Sequence, residues 1–238
     1  MQFRSTQALA VTALFAGAAF VAGCQTDPTR SMTYQSPLAA GDDFDEARDR
    51  APSAKTLYRM ARLLSSQGKQ ERALAVLQTS VQRYPDFMPA YSEYAAIMMR
   101  QDKNEEAEKI LEYALTLAPD DPVVLNNLGM TRMLRENYEG ARDPFSRAAA
   151  LDPNSKLYHA NWALSTGMTG RYDESFALYE QIMSIADAHE NVAIIAEALD
   201  DPDRAFIERQ LASGKTMEQI EAEAQARADA AQATHKNN

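Results

Sequence analysis

Apolar positions fall into three regimes along the chain. Ala8 to Gly23 is an unbroken run of apolar and small residues. Gln25 to about Pro52 offers Thr, Ser, Pro, Gly and acids but little from which a core could be built. From residue 54 onward, small and large residues recur at an interval of 34, set by Pro85, Pro119 and Pro153. Ala73, Ala107 and Ala141 each stand twelve residues before a proline, and Leu77, Leu111 and Phe145 each stand eight before. Self-similarity at this spacing means one supersecondary unit stacked on copies of itself, and 34 residues is the length of a helix-turn-helix unit.

With residue 54 as position 1, the units are 54–87, 88–121, 122–155 and a fourth from 156. Position 8 then holds Ala61, Ala95, Gly129 and Ala163, and position 20 holds Ala73, Ala107, Ala141 and Ser175. Position 27 holds Ser80, Ala114 and Ala148. Small side chains at fixed places let paired helices approach closely while larger neighbours fill the grooves. Gly68 and Gly170 at position 15 end a first helix, and Tyr138 and Tyr172 at position 17 begin a second. The second unit replaces that glycine turn by Asp102-Lys103-Asn104, which Asp or Asn chemistry can also serve. Ser53 is placed to cap the first helix.

Over residues 53 to 213 this pattern resembles the tetratricopeptide family. The resemblance implies an all-α, right-handed superhelical solenoid of about five repeats, with a concave face lined by the first helix of each unit. It also implies a scaffold that binds proteins or peptides, without naming the partner. Pro144, inside a second helix, predicts a bend that Gly140 four residues earlier eases. Trp162 at position 7 is expected in the core. No proline closes the fourth unit, but a fifth begun early, at Ala186, puts Ala193, Ala205 and Ala212 on positions 8, 20 and 27, within 186–215. In that unit Asp201-Pro202 should start the second helix and Gly214 should end it, while Arg209 stands at position 24, normally apolar. Thr216 to Gln219 reads as a capping box opening a polar last helix, predicted to fray near Asp229 and to end in a disordered tail from Thr234 to Asn238.

The front of the chain changes the picture from a free scaffold to a tethered one. Residues 1–23, with Arg4 as their only charge, read as a signal peptide. They end in Val21-Ala22-Gly23-Cys24, which resembles a bacterial lipobox, and Cys24 is the single cysteine. The alternative is a buried or free thiol, unusual in an exported protein. On the lipobox resemblance, cleavage before Cys24 leaves it acylated with two or more chains, enough for stable anchoring where one chain would exchange. Gln25 after the cysteine leans towards the outer membrane rather than the inner, on the periplasmic side. Residues 24–52, with Asp42, Asp43, Asp45, Glu46 and Asp49, read as a flexible acidic tether of roughly 30 Å reach.

Net charge is −10, and loss of the segment holding Arg4 makes it −11, which disfavours nucleic acid as a partner. His159, His189 and His235 lie far apart with no partner at ligand spacing, so neither a metal site nor a catalytic pair is indicated. Ser213-Gly214-Lys215-Thr216 imitates the end of a phosphate loop, but Arg209 stands where its first glycine is required. Neither an enzyme, a cofactor nor a small-molecule substrate is expected.

On the family pattern, positions 2, 5, 6, 9, 12 and 13 of each first helix face the groove. That places Arg59, Arg62 and Arg100 at a basic end and brings Met99, Met130 and Met168 into the trough. Position 6 is asparagine in three successive units: Asn127, Asn161 and Asn191. Amides offer both a donor and an acceptor, so such a row could bind the repeating backbone of an extended peptide whatever its sequence. The alternative is that these asparagines only cap or solvate. The plan of lipobox, acidic tether and five repeats resembles the lipoproteins of tight-adherence pilus assembly. Adaptors in outer-membrane protein assembly or in the regulation of cell-wall synthesis share the same parts.

Overall fold

A computed structural model describes residues 51–236, with eleven helices and no strand among them. Cys24, the leading segment, most of the acidic tether and the last two residues lie outside the described residues. The helices come in pairs. They are α1 Ala54–Ser66 with α2 Gln70–Arg83, α3 Met88–Arg100 with α4 Asn104–Leu117, and α5 Pro122–Leu134 with α6 Tyr138–Leu151. Then come α7 Lys156–Gly167 with α8 Tyr172–Tyr179, α9 Ile185–Ala198 with α10 Pro202–Ala212, and a last helix α11 Met217–Lys236.

Each pair turns through one left-handed residue at position 15. Gly68 and Gly170 sit there at φ +75° and +81°, a conformation without penalty for glycine. Asp102, Glu136 and Asp200 take the same place at φ +61°, +58° and +59°. An acid with this φ is ordinary enough for Asp and unexpected for Glu. Counting position 1 of the fifth unit from residue 186 puts Asp200 at position 15; Ala193 and Ala205 are buried, and Ala212 at position 27 is half-buried. The fourth unit's α8 is only 8 residues long, which is where the 34-residue period is lost.

Caps follow the local chemistry. Ser53 Oγ accepts from Thr56 N, Asp121 accepts from Val123 N and Val124 N, and Asp201 accepts from Arg204 N. Thr216 and Gln219 form the reciprocal box, Thr216 N donating to Gln219 Oε1 at 2.9 Å and Gln219 N to Thr216 Oγ1 at 3.3 Å. The helix they open runs past Asp229 to Lys236, in keeping with the high helix propensity of its Ala, Gln and Glu residues.

The core is a succession of interfaces. Position 8 meets position 24 inside each of the first four units: Ala61, Ala95 and Ala163 are buried, as are Leu77, Leu111 and Tyr179. In the third unit the large member is Phe145 and the small one is Gly129. A methyl group on Gly129 would lie 2.6 Å from Phe145 Cε1, so the two residues compensate in volume. Trp162 is half-buried between two core clusters. Helix α6 is continuous through Pro144, and the Gly140 carbonyl that Pro144 cannot reach accepts from Arg132 Nη1 at 3.0 Å. The first helices of successive units touch one another, α1 with α3, α3 with α5, α5 with α7 and α7 with α9, making one continuous wall. α11 packs lightly on α10.

Candidate functional site: a trough along the first helices

Tyr58 of α1, Ser92, Glu93 and Ala96 of α3, and Asn127 of α5 surround a single cavity of about 260 Å³. Met88, Pro89, Asp121 and Val123 complete its lining. Tyr58, Ser92 and Asn127 stand at positions 5, 5 and 6 of three successive units, so the stacking of like positions on one face brings residues 34 and 35 apart into one depression. Tyr58 is held edge-on by Phe87 at 5.8 Å between ring centroids. Arg62 lies over the Tyr58 ring, 5.8 Å from its centroid.

The three arginines at the basic end are exposed. Arg59 and Arg62 have no ion-pair partner among the described residues, and Arg100 donates to Ser65 Oγ at 3.0 Å with Glu93 3.7 Å away. Two guanidinium groups without an ion-pair partner, one of them over the Tyr58 ring that lines the cavity, suit a carboxylate-bearing segment, since charge-assisted bonds exceed neutral ones in strength.

The asparagines part company. Asn127 lines the cavity, half-buried. Asn161 is only 4% exposed, and its Nδ2 donates to Asn126 Oδ1 at 2.8 Å, so this amide joins α7 to α5 inside the solenoid. Asn191 is half-buried, with Nδ2 donating to the Asp187 carbonyl at 2.9 Å and to Met183 Sδ at 3.1 Å. The methionines differ likewise. Met99 and Met130 are half-buried, whereas Met168 is 4% exposed within the core cluster that holds Met133 and Ile195. The open surface is thus concentrated on the first three units.

Two polar networks had no counterpart in the sequence reading. Glu108, on α4, receives Arg132 Nε at 2.8 Å and a close contact from Arg135, while Arg132 also reaches Glu112 at 3.0 Å. Burial raises the Glu108 carboxyl pKa, but the hydrogen bonds and charges of Arg132 and Arg135 outweigh it and hold the group below its ordinary value of 4.5. In the last units Glu208, 1% exposed at its side chain, accepts from Arg204 Nε at 2.6 Å and meets His189 Nδ1 at 2.6 Å. His189 stacks on Phe176 with centroids 4.2 Å apart, and Arg204 lies 5.3 Å over the Tyr172 ring and bonds Asp173 at 2.5 Å. Both networks join neighbouring helices, and neither opens on the trough.

The family model for the tetratricopeptide repeat matches residues 58–122 and 99–156. Residues 58–156 are thus similar to the tetratricopeptide-repeat family. The TPR protein YrrB, whose crystal structure is described as having an unusual peptide-binding site, superposes with a TM-score of 0.55 at 21% identity, over 78% of this chain and 100% of that one. MamA superposes with a TM-score of 0.55 at 16% identity, over 67% of this chain and 89% of that one. At these identities the likeness is one of fold. Among curated proteins, TPR repeat-containing protein PA4667 of Pseudomonas aeruginosa is 27% identical over 163 residues, which is 66% of this chain and 27% of that protein. Protein O-mannosyl-transferase TMTC1 of Mus musculus is 27% identical over 139 residues, 56% of this chain and 15% of that protein. The chain therefore spans less than a third of the curated relatives it matches, and the transferase name stays with that protein. The fold these comparisons share is a stacked wall of helices, in which the first helices of successive units touch one another.

Proposed function

We propose that the protein is a lipid-anchored scaffold of the bacterial cell envelope that holds an extended segment of a partner protein against α1, α3 and α5. The observation that carries the binding half is the convergence of Tyr58, Ser92, Glu93, Ala96 and Asn127 on one cavity, with Arg62 over the Tyr58 ring and the exposed Arg59 next to Tyr58 in the chain. Asn127 supplies a donor and an acceptor for peptide backbone. Met99 and Met130 supply deformable apolar surface, and the arginines select an acidic stretch or a terminal carboxylate. Asn191 extends the same line once Met183 and Asp187 release its amide, whereas Asn161 and Met168 act through the core, by holding α7 in place.

The anchoring half rests on the apolar run that ends at Val21-Ala22-Gly23-Cys24. Acylated Cys24 would hold the array at the membrane, facing the periplasm and on the outer membrane by preference. Among the described residues no helix is long and apolar enough to cross a membrane. Assembly of a pilus or secretion system fits a tethered scaffold with a groove for a passing polypeptide. Replacing Cys24 with serine tests the anchor: the variant should leave the membrane fraction and wild type should take up labelled palmitate. A Cys24→Ser protein that still floats with membranes, with wild type unlabelled, would refute it. Affinity isolation from solubilised envelopes, followed by mass spectrometry, should recover a pilus or secretion subunit; a barrel-assembly or cell-wall synthesis protein would move the scaffold to that work instead.

A further inference from the structure

A second depression lies on the opposite side of the wall, between the second helices α2 and α4. It is about 510 Å³ and is lined by Val81, Pro85, Tyr91, Tyr94, Ile110 and Tyr113, with Gln78, Gln82 and Lys109 at its edge. Its size and lining are those of a pocket for an apolar side chain with a few polar contacts. The tyrosine rings of Tyr91 and Tyr113 are tilted at 47° with centroids 6.1 Å apart, and Tyr113 is 55% exposed. In the next groove along the array, the residue equivalent to Tyr113 is Arg147, which folds back to donate to the Pro119 carbonyl at 2.8 Å. Tyr113 has no such reach, and the first groove stays open. Lys109, exposed at its edge, has no ion-pair partner among the described residues.

We propose that this pocket is the seat of the chain's own segment Asp42-Asp43-Phe44-Asp45-Glu46, with Phe44 inserted among Tyr91, Ile110 and Tyr113 and its flanking acids facing Lys109. Three observations on sequence and structure favour this occupant over others. Phe44 is an aromatic residue set within four carboxylates, which matches an aromatic, amide-edged pocket carrying one unpaired ammonium group. The chain enters the structure beside the pocket: Tyr84 Oη donates to the Pro52 carbonyl at 2.9 Å, and Tyr84 is the neighbour of Pro85 in the pocket wall. The eight residues from Phe44 to Pro52 span at most roughly 26–29 Å, so Phe44 can reach the pocket, and its tethering makes the encounter intramolecular. Asp86 lies next to the Pro85 end and repels acids there, which directs the acidic residues to the Lys109 side. Docking would shorten the free tether to the residues before Asp42 and would fix the array's orientation with respect to its anchor. The inference stands whether or not Cys24 is acylated and does not involve the trough.

The test replaces Phe44 in the full-length mature chain by a benzophenone-bearing phenylalanine, irradiates at low protein concentration, and locates the cross-link by peptide mass spectrometry. The expected product is a monomer cross-linked to the peptides carrying Tyr91 and Tyr94 or Ile110 and Tyr113. Ile110→Asp should abolish that product, and Phe206→Ala, remote from the pocket, should leave it intact. Where Ile110→Asp loses helicity by circular dichroism, the exposed Lys109→Glu serves instead and should lower the yield. Cross-links elsewhere on the array, no cross-link at all, or products formed only between two copies would each overturn the proposal, the last by naming a second copy as the occupant.

Discussion

Gly129 and Phe145 show how one side chain sets the identity of another. Every other early unit pairs alanine with leucine at positions 8 and 24, and only the unit with phenylalanine has glycine opposite. Gly129→Ala should therefore destabilise the protein by about 1–3 kcal/mol, because a rigid ring and a helix backbone both resist movement. In the Phe145→Leu background the same change should be close to neutral, a coupling that a double-mutant cycle by urea denaturation would read directly. Glu108 carries a second prediction. Its folded-state pKa is depressed below its unfolded value, so it contributes stability that is present above about 4.5 and is lost as pH falls through the lower folded value. Glu108→Gln should thus be less stable than wild type at neutral pH, and the difference should shrink steadily in melts between pH 5 and the acid limit.

At the scale of helices, the last two pairs depend on a polar junction rather than an apolar one. Glu208, buried on α10, is satisfied among the described residues by His189 of α9 and Arg204 of its own helix. Glu208→Ala leaves His189 Nδ1 without this acceptor and Arg204 with Asp173 alone, and an array of repeats opens locally where an interface is weakened. Hydrogen exchange should show faster exchange in α9 and α10 with α3 to α6 unchanged; uniform acceleration would contradict the one-dimensional account. The pairs themselves were legible in the sequence because equal positions carry equal constraints, so prolines and small residues announce them. Ala193, Ala205 and Ala212 announce the shortened fifth unit in the same way. Glu136 in a left-handed turn was not legible, since nothing in a glutamate signals φ +58°. Nor were the networks, although a signal existed. Position 21 of one unit meets position 11 of the next, as Leu74 with Met98, as Glu108 with Arg132, and as Arg142 with Thr166, whose Oγ1 accepts from Arg142 Nε at 3.3 Å. An acid where leucine stands, followed 24 residues later by a base where methionine stands, marks such a pair.

For the whole molecule, periodicity places residues on a face but does not decide which of them remain open. Asn127 and Asn161 hold the same position in adjacent units, yet the presence of Asn126 beside Asn161 turns one amide inward and leaves the other at the cavity. A partner is therefore expected to engage chiefly the first three units, with its acidic end towards Arg59 and Arg62. The measurement that tests this most directly is a calorimetric titration of the partner segment recovered from envelopes against wild type, Asn127→Ala and Ala96→Trp, the last of which fills the cavity. Affinity should fall by about tenfold or more, about 1.4 kcal/mol or above, in Ala96→Trp, and by less in Asn127→Ala. Unchanged affinity in a folded Ala96→Trp protein would contradict the account and place the binding surface off the first-helix wall.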